Sequence, residues 1–277
     1  MLQSVNRSTV SSLPEVIWPR LRQEAAALQE GEPLLASYAR STITGAASFA
    51  DALAHMLSEK LASHEIGGEE IRELFAQAHK QGAKIDIAAG RDLTAIVDRD
   101  AAATSYLVPF LFFKGFHALQ SYRLAHWLWG MSRRHLAFYL QNRIADLFAV
   151  DIHPAARIGS GILMDHATGI VIGETAVVED NVSMLHAVTL GGTGKQSGDR
   201  HPKIRSGVMI GAGAKILGNI EVGIGARIAA GSVVLQSVPP GVTVAGVPAK
   251  VVGGAGCAQP AQEMDQMLAG DGDGASI

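Results

Sequence analysis

From about residue 150 onward, an aliphatic side chain returns every sixth residue. Ile152, Ile158, Met164, Ile170, Ala176, Val182 and Val188 form one series, and Ile204, Ile210, Ile216, Val222, Ile228 and Val234 a second; eleven of these thirteen positions are Ile or Val. Three residues after the later members stand Gly213, Asn219, Gly225 and Gly231, residue types that accept a positive φ at little steric cost. A helix repeats every 3.6 residues and a strand every two, so neither generates a period of six. A short strand followed by a left-handed turn position does, and stacked units of that kind bury one another's apolar positions. The period therefore predicts a hexapeptide solenoid, a parallel β-helix, over residues 150–252.

The two series are out of step, because Val188 and Ile204 are sixteen residues apart, which is not a multiple of six. The intervening Leu190-Gly-Gly-Thr-Gly-Lys-Gln-Ser-Gly-Asp-Arg-His-Pro202 is glycine-rich and charged. A repetitive scaffold that interrupts its repeat with such a loop marks that place for chemistry.

Residues 1–149 carry a different period. Apolar positions recur at helical spacing over Glu15–Gln29, Ser48–Leu61, Glu69–Lys80, Phe116–Trp129 and Arg133–Phe148, with Ser48 as a capping residue and Gly31 and Gly82 as stop signals. Asp98-Arg99-Asp100 ends a further helix. Residues 253–277 are rich in Gly and Ala with scattered acids and read as a flexible tail. The chain is thus expected to be α+β: an N-terminal helical domain, a parallel β-helix, then a tail. A net charge of −3 gives no footprint for a nucleic-acid backbone. The single cysteine, Cys257, leaves no internal disulfide or cysteine-cluster zinc site. The longest apolar run, Leu107–Phe113, is too short for a bilayer and contains Pro109. With no signal-peptide core at the N-terminus, the expectation is a cytoplasmic protein without membrane partners.

Within the solenoid, His166, His186 and His201 are the candidate acid–base groups, with Asp151, Asp165 and Arg200 nearby in sequence. A carboxylate behind an imidazole fixes its tautomer and stabilises the imidazolium, which makes a general base for a hydroxyl or amine. Zinc held by the three histidines across a trimer interface is the competing reading, and Arg200 beside His201 opposes it, since a fixed cation repels a dication; no metal is expected. Lys195, Lys203, Lys215 and Lys250 read first as surface charge. Against glycine-rich backbone at Gly191, Gly192 and Ala212 they are also candidates for a phosphorylated cofactor. The basic, aromatic stretch Lys114–Trp127 is read as a packing helix.

Several runs together carry a family resemblance: Val150-Asp-Ile-His-Pro-Ala-Ala, Asp165-His-Ala-Thr-Gly-Ile, Val188-Thr-Leu-Gly-Gly-Thr-Gly-Lys, Gly198-Asp-Arg-His-Pro-Lys-Ile, Gly211-Ala-Gly-Ala-Lys-Ile-Leu-Gly-Asn-Ile and Ala245-Gly-Val-Pro-Ala-Lys. They resemble the bacterial serine O-acetyltransferase family, as do Arg99-Asp100 and Lys114-Gly-Phe-His-Ala-Leu-Gln in the helical half, over about residues 15 to 252. The resemblance implies a left-handed solenoid and direct transfer of acetyl from acetyl-CoA to the L-serine hydroxyl, the first step of cysteine synthesis. Carried onto matching positions, His166 is the general base oriented by Asp151, Asp100 and Asp165 receive the serine ammonium, and Arg200 and His201 hold its carboxylate. Acetyl-CoA, a co-substrate and not a resident cofactor, falls to Gly191, Gly192, Thr193, Ala212, Lys215 and Lys250. The resemblance further implies feedback inhibition by L-cysteine and a trimer paired into a hexamer through the helical half. It also implies docking of the terminal Ile277 on O-acetylserine sulfhydrylase, although Ala275-Ser276 replaces the Asp-Gly usual before it. Three other readings are an acetyltransferase for a sugar or another amino alcohol, a zinc hydratase on the same solenoid, and a non-catalytic scaffold for the sulfhydrylase. Acids at one end of a site and a cation at the other suit a zwitterion better than a neutral sugar.

Overall fold

The computed structural model describes residues 13–194 and 197–267; Lys195 and the Ala275-Ser276-Ile277 terminus lie outside them. The helical half comprises α1 (Leu13–Gly31), α2 (Pro33–Ala39), a π-helical turn (Arg40–Thr44), α3 (Phe49–Leu61), α4 (Gly68–Lys80), α5 (Ile85–Arg99), α6 (Leu107–Phe112), α7 (Lys114–Gly130) and α8 (Arg134–Phe148). Local chemistry sets several of these ends. The Ser48 hydroxyl accepts the Asp51 amide at the start of α3, and the Asp51 carboxylate returns to the Ala47 amide, so two of the helix's orphan donors are satisfied. α2 begins with Pro at its first turn, and α8 ends on Ala149 in the left-handed region (φ 55°).

Three parallel sheets follow, one for each side of a triangular prism. The first face stacks β1 (Val150–Ile152), β4 (Ile170–Ile172), β7 (Thr189–Gly191), β10 (Lys215–Leu217) and β13 (Val233–Val234). The second stacks β2 (Arg157–Ile158), β5 (Val177–Val178), β8 (Lys203–Ile204) and β11 (Glu221–Val222). The third stacks β3 (Leu163–Met164), β6 (Ser183–Met184), β9 (Met209–Ile210), β12 (Arg227–Ile228) and β14 (Val242–Gly246), closed by the antiparallel β15 (Ala249–Gly254). The expected domain boundary at 252 falls inside β15.

The stacking register corrects the sequence reading in one respect. The fully inward columns are Ile152, Ile172, Leu190, Ile216 and Val234 on the first face, and Met164, Met184, Ile210, Ile228 and Val244 on the third. From Ile170 to Val188 the sixfold series had slipped onto the neighbouring inward position, two residues earlier, which is also buried. The repeat is therefore lengthened twice. Met164 and Ile172 are eight residues apart, so the first and second coils pair at a spacing of twenty, as in Leu163 with Ser183. The second and third coils pair at twenty-six, as in Val177 with Lys203; the next return to eighteen, as in Lys203 with Glu221, and the last is two residues short, pairing Arg227 with Thr243 at sixteen. A second correction concerns the turn residue at 219: the positive φ belongs to Gly218 (φ 99°), its neighbour.

The helical half is fastened to the solenoid along the corner between the second and third faces. Asp92, fully buried in α5, accepts from Arg123 Nη2 at 2.6 Å, from Gln120 Nε2 at 2.9 Å and from the Ile162 amide at 2.9 Å. Arg91 donates to the Ser160 hydroxyl at 2.8 Å, and Arg99 to the Ser183 hydroxyl at 3.0 Å. Most of α7 is buried between the two halves, with His126 against the Pro154 carbonyl, which is the packing role expected of it. Burial drives the His117 imidazole down to about 4, so it sits there neutral.

The segment after β15, expected as a flexible tail from 253, is seated on the third face as far as residue 267. A short helix, α9 (Pro260–Glu263), places the Ala261 carbonyl 2.7 Å from the Ser183 hydroxyl, which donates to it. The buried Arg227 donates to the Asp265 carbonyl and the Thr243 hydroxyl. As a result the outward positions of the third face, Leu163, Ser183, Met209, Arg227 and Thr243, are all buried. On the first face Asp151 and Val171 remain exposed.

Candidate active site

The first break in the repeat places His166. Two extra residues between Met164 and Ile172 force the chain out of the corner between the third and first faces. His166 (φ 55°) and Ala167 (φ 58°) are both left-handed, a conformation that costs about 1–2 kcal/mol for each residue bearing a Cβ. The Ala167 amide bonds to the Asp165 carbonyl and the Thr168 amide to that of His166, which tightens the turn. The start of α7 holds it from behind. A Cβ on Gly115 would lie 2.2 Å from the Met164 carbonyl oxygen, so only glycine fits there, and Lys114 donates to the Thr168 hydroxyl. The outcome is an imidazole 76% exposed at the corner, its Nε2 3.8 Å from Asp165 Oδ1. His186, one coil above at the same corner, meets it edge to face at 6.0 Å between centroids.

Above His186 the same corner carries small residues. The Gly213 amide donates to the His186 carbonyl and the Gly231 amide to that of Ala212. Lys215, next along on the first face, donates to the Ala187 carbonyl. Ala212 and Lys215 thus share the His166 corner. Lys250 is exposed on β15, at the far end of the third face.

The second break places Arg200 and His201 at a different corner, between the first and second faces. Residues 192–202 leave the prism after β7 and rejoin it at β8. Gly191 ends β7, Gly192 contacts the stem of Arg200, and Thr193 lies against Gly218. Arg200 Nη2 is 2.7 Å from Glu174 Oε2, and that guanidinium holds the Glu174 carboxyl below its usual range. His201 is buried, and a Cβ on Gly173 would sit 2.1 Å from its ring. Burial first, and Arg200 second, lower the His201 imidazole below its ordinary value, and burial does the same to His153 beneath.

One chain therefore brings Asp165, His166, Ala212 and Lys215 to one corner, and Gly191, Gly192, Thr193, Arg200 and His201 to another. The two corners are separated by β4 and its flanking residues. At about 3.3 Å per residue, 168–174 spans roughly 20 Å, far longer than an amino acid. Asp151 points outward from β1 between them, and its carboxylate accepts Gln141 Nε2 at 2.6 Å. Asp100 caps α5 and accepts the Ala102 amide at 2.8 Å. Neither contacts His166 among the described residues. No three His, Cys, Asp or Glu side chains among the described residues come together within one chain as a metal site. No helix among them is long and apolar enough to cross a membrane.

Glu174, Thr175, Gly173 and Gly115 were missed in the sequence. For the first three the signal was the length of the second insertion: twenty-six residues separate coils two and three, which sets residue 201 over residue 175; Gly115 belongs to the first insertion, where it backs Met164.

A three-faced prism of six-residue steps, with reactive side chains at its interruptions, defines a hexapeptide-repeat transferase. Residues 201–236 match the family model for the bacterial transferase hexapeptide, and residues 17–121 that for the N-terminal region of serine acetyltransferase. The serine acetyltransferase of Salmonella typhimurium is 56% identical over 256 residues, covering 92% of this chain and 94% of that protein. A crystal structure of serine acetyltransferase from Vibrio cholerae superimposes with a TM-score of 0.91 at 55% identity, over 92% of this chain and 99% of that one. The Brucella abortus serine acetyltransferase solved in complex with coenzyme A gives 0.85 at 52% identity, over 87% and 96%. A serine acetyltransferase in complex with cysteine gives 0.90 at 52%, over 92% and 99%. The chain belongs to the serine acetyltransferase family.

Proposed function

We propose that this chain transfers acetyl from acetyl-CoA to the hydroxyl of L-serine, giving O-acetyl-L-serine and CoA. Beyond the family, one observation supports the reading: the solenoid lengthens its repeat twice, and each insertion presents a group that this reaction needs. His166, raised on a strained turn, is the general base. It takes the hydroxyl proton as the serine oxygen attacks the thioester carbonyl, and the CoA thiolate leaves without an acyl-enzyme. A base so placed contributes about 10²–10⁴ in rate, and orientation and oxyanion stabilisation supply the remainder. Asp165, beside His166, and Asp100 receive the serine ammonium, and Asp151 orients the imidazole. Arg200 and His201 hold the carboxylate, Arg200 shifting between Glu174 and substrate.

An amino acid cannot touch both corners of one chain, so the site is completed when the Arg200 corner of a second copy meets the His166 corner of the first. A trimer does this with one repeated contact, and pairing of helical halves would make a hexamer. That contact also shields His166, which in one chain stands in water. The small-residue column above His186, with Lys215 and Lys250, receives the CoA arm, while Gly191, Gly192 and Thr193 approach it from the neighbouring copy. L-cysteine, which differs from serine at the nucleophilic atom alone, occupies the serine site as an inhibitor. The terminus ending in Ile277 is the segment for docking on O-acetylserine sulfhydrylase. The compartment proposed is the cytoplasm.

The test is CoA release from acetyl-CoA with L-serine beside D-serine, L-homoserine and a galactoside, on wild type and His166→Ala. Turnover restricted to L-serine and reduced by about 10²–10⁴ in the variant is expected. Turnover on the galactoside would move the substrate to sugars, and an unimpaired variant would remove His166 from the chemistry.

A further inference from the structure

The residue that governs the carboxylate end of the site lies one coil below it. Thr175 stands in the turn between β4 and β5, and four hydrogen bonds join it to the last residues of the extruded loop. Its hydroxyl oxygen accepts the backbone amides of Arg200 at 3.0 Å and His201 at 3.1 Å. That hydroxyl also lies 2.9 Å from His201 Nδ1, and the Thr175 backbone amide lies 3.2 Å from the same nitrogen. A backbone N–H can only donate, so Nδ1 is an acceptor and carries no proton. The imidazole proton is thereby assigned to Nε2, the ring nitrogen that makes no hydrogen bond among the described residues and lies over Gly173. Lys203 closes the arrangement, donating to the carbonyls of Thr175 and His201 and to Asp199.

We propose that Thr175 is a positioning residue for substrate binding: it fixes His201 as an Nε2–H donor and, through the Arg200 amide, sets the guanidinium at the same end of the site. This rests on the reading that Arg200 and His201 hold the serine carboxylate. A neutral donor beside a fixed cation suits that task, because the carboxylate gains a directed hydrogen bond without a second buried charge. Burial and Arg200 both keep the imidazole in its neutral form. The hydroxyl does what no alkyl group of the same shape can, since valine would leave the Arg200 and His201 amides without an acceptor and His201 Nδ1 with the residue-175 backbone amide alone. Gly173 serves the same end from the other side by leaving room for the ring.

The experiment compares Thr175→Val, Thr175→Ser and His201→Ala with wild type in steady-state kinetics. It adds magic-angle-spinning ¹⁵N spectra of histidine-labelled protein, with His201→Ala assigning the signal. Expected are an Nε2–H tautomer for His201 in wild type and a serine KM raised about tenfold in Thr175→Val. In that variant kcat should stay within about twofold and the acetyl-CoA KM should not change, while Thr175→Ser should restore the serine KM. A wild-type Nδ1–H tautomer, an unchanged serine KM in Thr175→Val, or both KM values rising together would overturn the inference. His201→Ala separates this from the parent reading: if it leaves the serine KM untouched, His201 does not hold the carboxylate. If His201→Ala raises the KM and Thr175→Val does not, only the role of Thr175 falls.

Discussion

The three corners of the prism are built from the same six-residue step and have diverged in what covers them. The corner between the second and third faces is closed by the protein's own helices, through Asp92 to the Ile162 amide and Arg91 to Ser160. The other two meet the helices at the first coil, through Gly115 and Lys114 at one and His126 at the other, and those two carry the insertions. At the first, two residues suffice because the chain accepts two consecutive left-handed residues to lift a histidine clear. At the second, eight extra residues lengthen the excursion between β7 and β8, and its return is held by hydrogen bonds to Thr175 and by Lys203. A repeat thus offers two ways to hold a reactive group, by strain in a minimal turn or by pinning the end of a long loop. Structural load is borne at the corner where the repeat is unbroken.

That contrast can be broken experimentally. Asp92→Ala, at the covered corner, leaves the Arg123 guanidinium without its buried partner and orphans the Ile162 amide. A loss of about 3–5 kcal/mol in urea unfolding is expected, with the remaining folded enzyme retaining its serine KM. If kcat fell while the unfolding midpoint stayed in place, the division of labour between corners would be wrong. A smaller effect of opposite sign sharpens it. Ala149, exposed and left-handed where α8 passes into β1, is the position at which glycine ends helices without strain. Ala149→Gly should stabilise the chain by about 1 kcal/mol with kcat unchanged; destabilisation would show that the junction is held by contacts of the alanine methyl.

How far the sequence could be read follows from the same geometry. The sixfold period exposed the solenoid because inward positions repeat regardless of what the corners carry. The helices of the first half were legible wherever an amphipathic face was long. The first insertion was not, since Ile170, Ala176 and Val182 occupy an inward position two residues from the true column and mimic an unbroken repeat. His166 was recognised as chemically apt, but the reason it stands out from the surface lies in φ angles that a histidine and an alanine do not advertise. Asp92 was silent as well, because one acidic residue in a helix reads as solvated until its partners from α7 and the solenoid are known. Sequence also placed Asp151 behind His166, whereas within one chain its carboxylate is held by Gln141. The likeness of the runs around positions 151, 166 and 201 to one family joined residues that a single subunit keeps apart.

The central claim is that the His166 corner of one copy and the Arg200–His201 corner of another make one site. Subunit complementation tests it most directly. His166→Ala and Arg200→Ala chains, each nearly inactive alone, are co-expressed with different tags, and the doubly tagged oligomers are isolated and assayed for CoA release with L-serine. If each site draws one corner from each of two neighbours, random mixing leaves about a third of the sites of a mixed trimer, or about a quarter of those of a mixed hexamer, with both corners intact, and activity returns to about that fraction of wild type. Mixed oligomers no more active than their parents would contradict the account and place both corners' functions within a single chain.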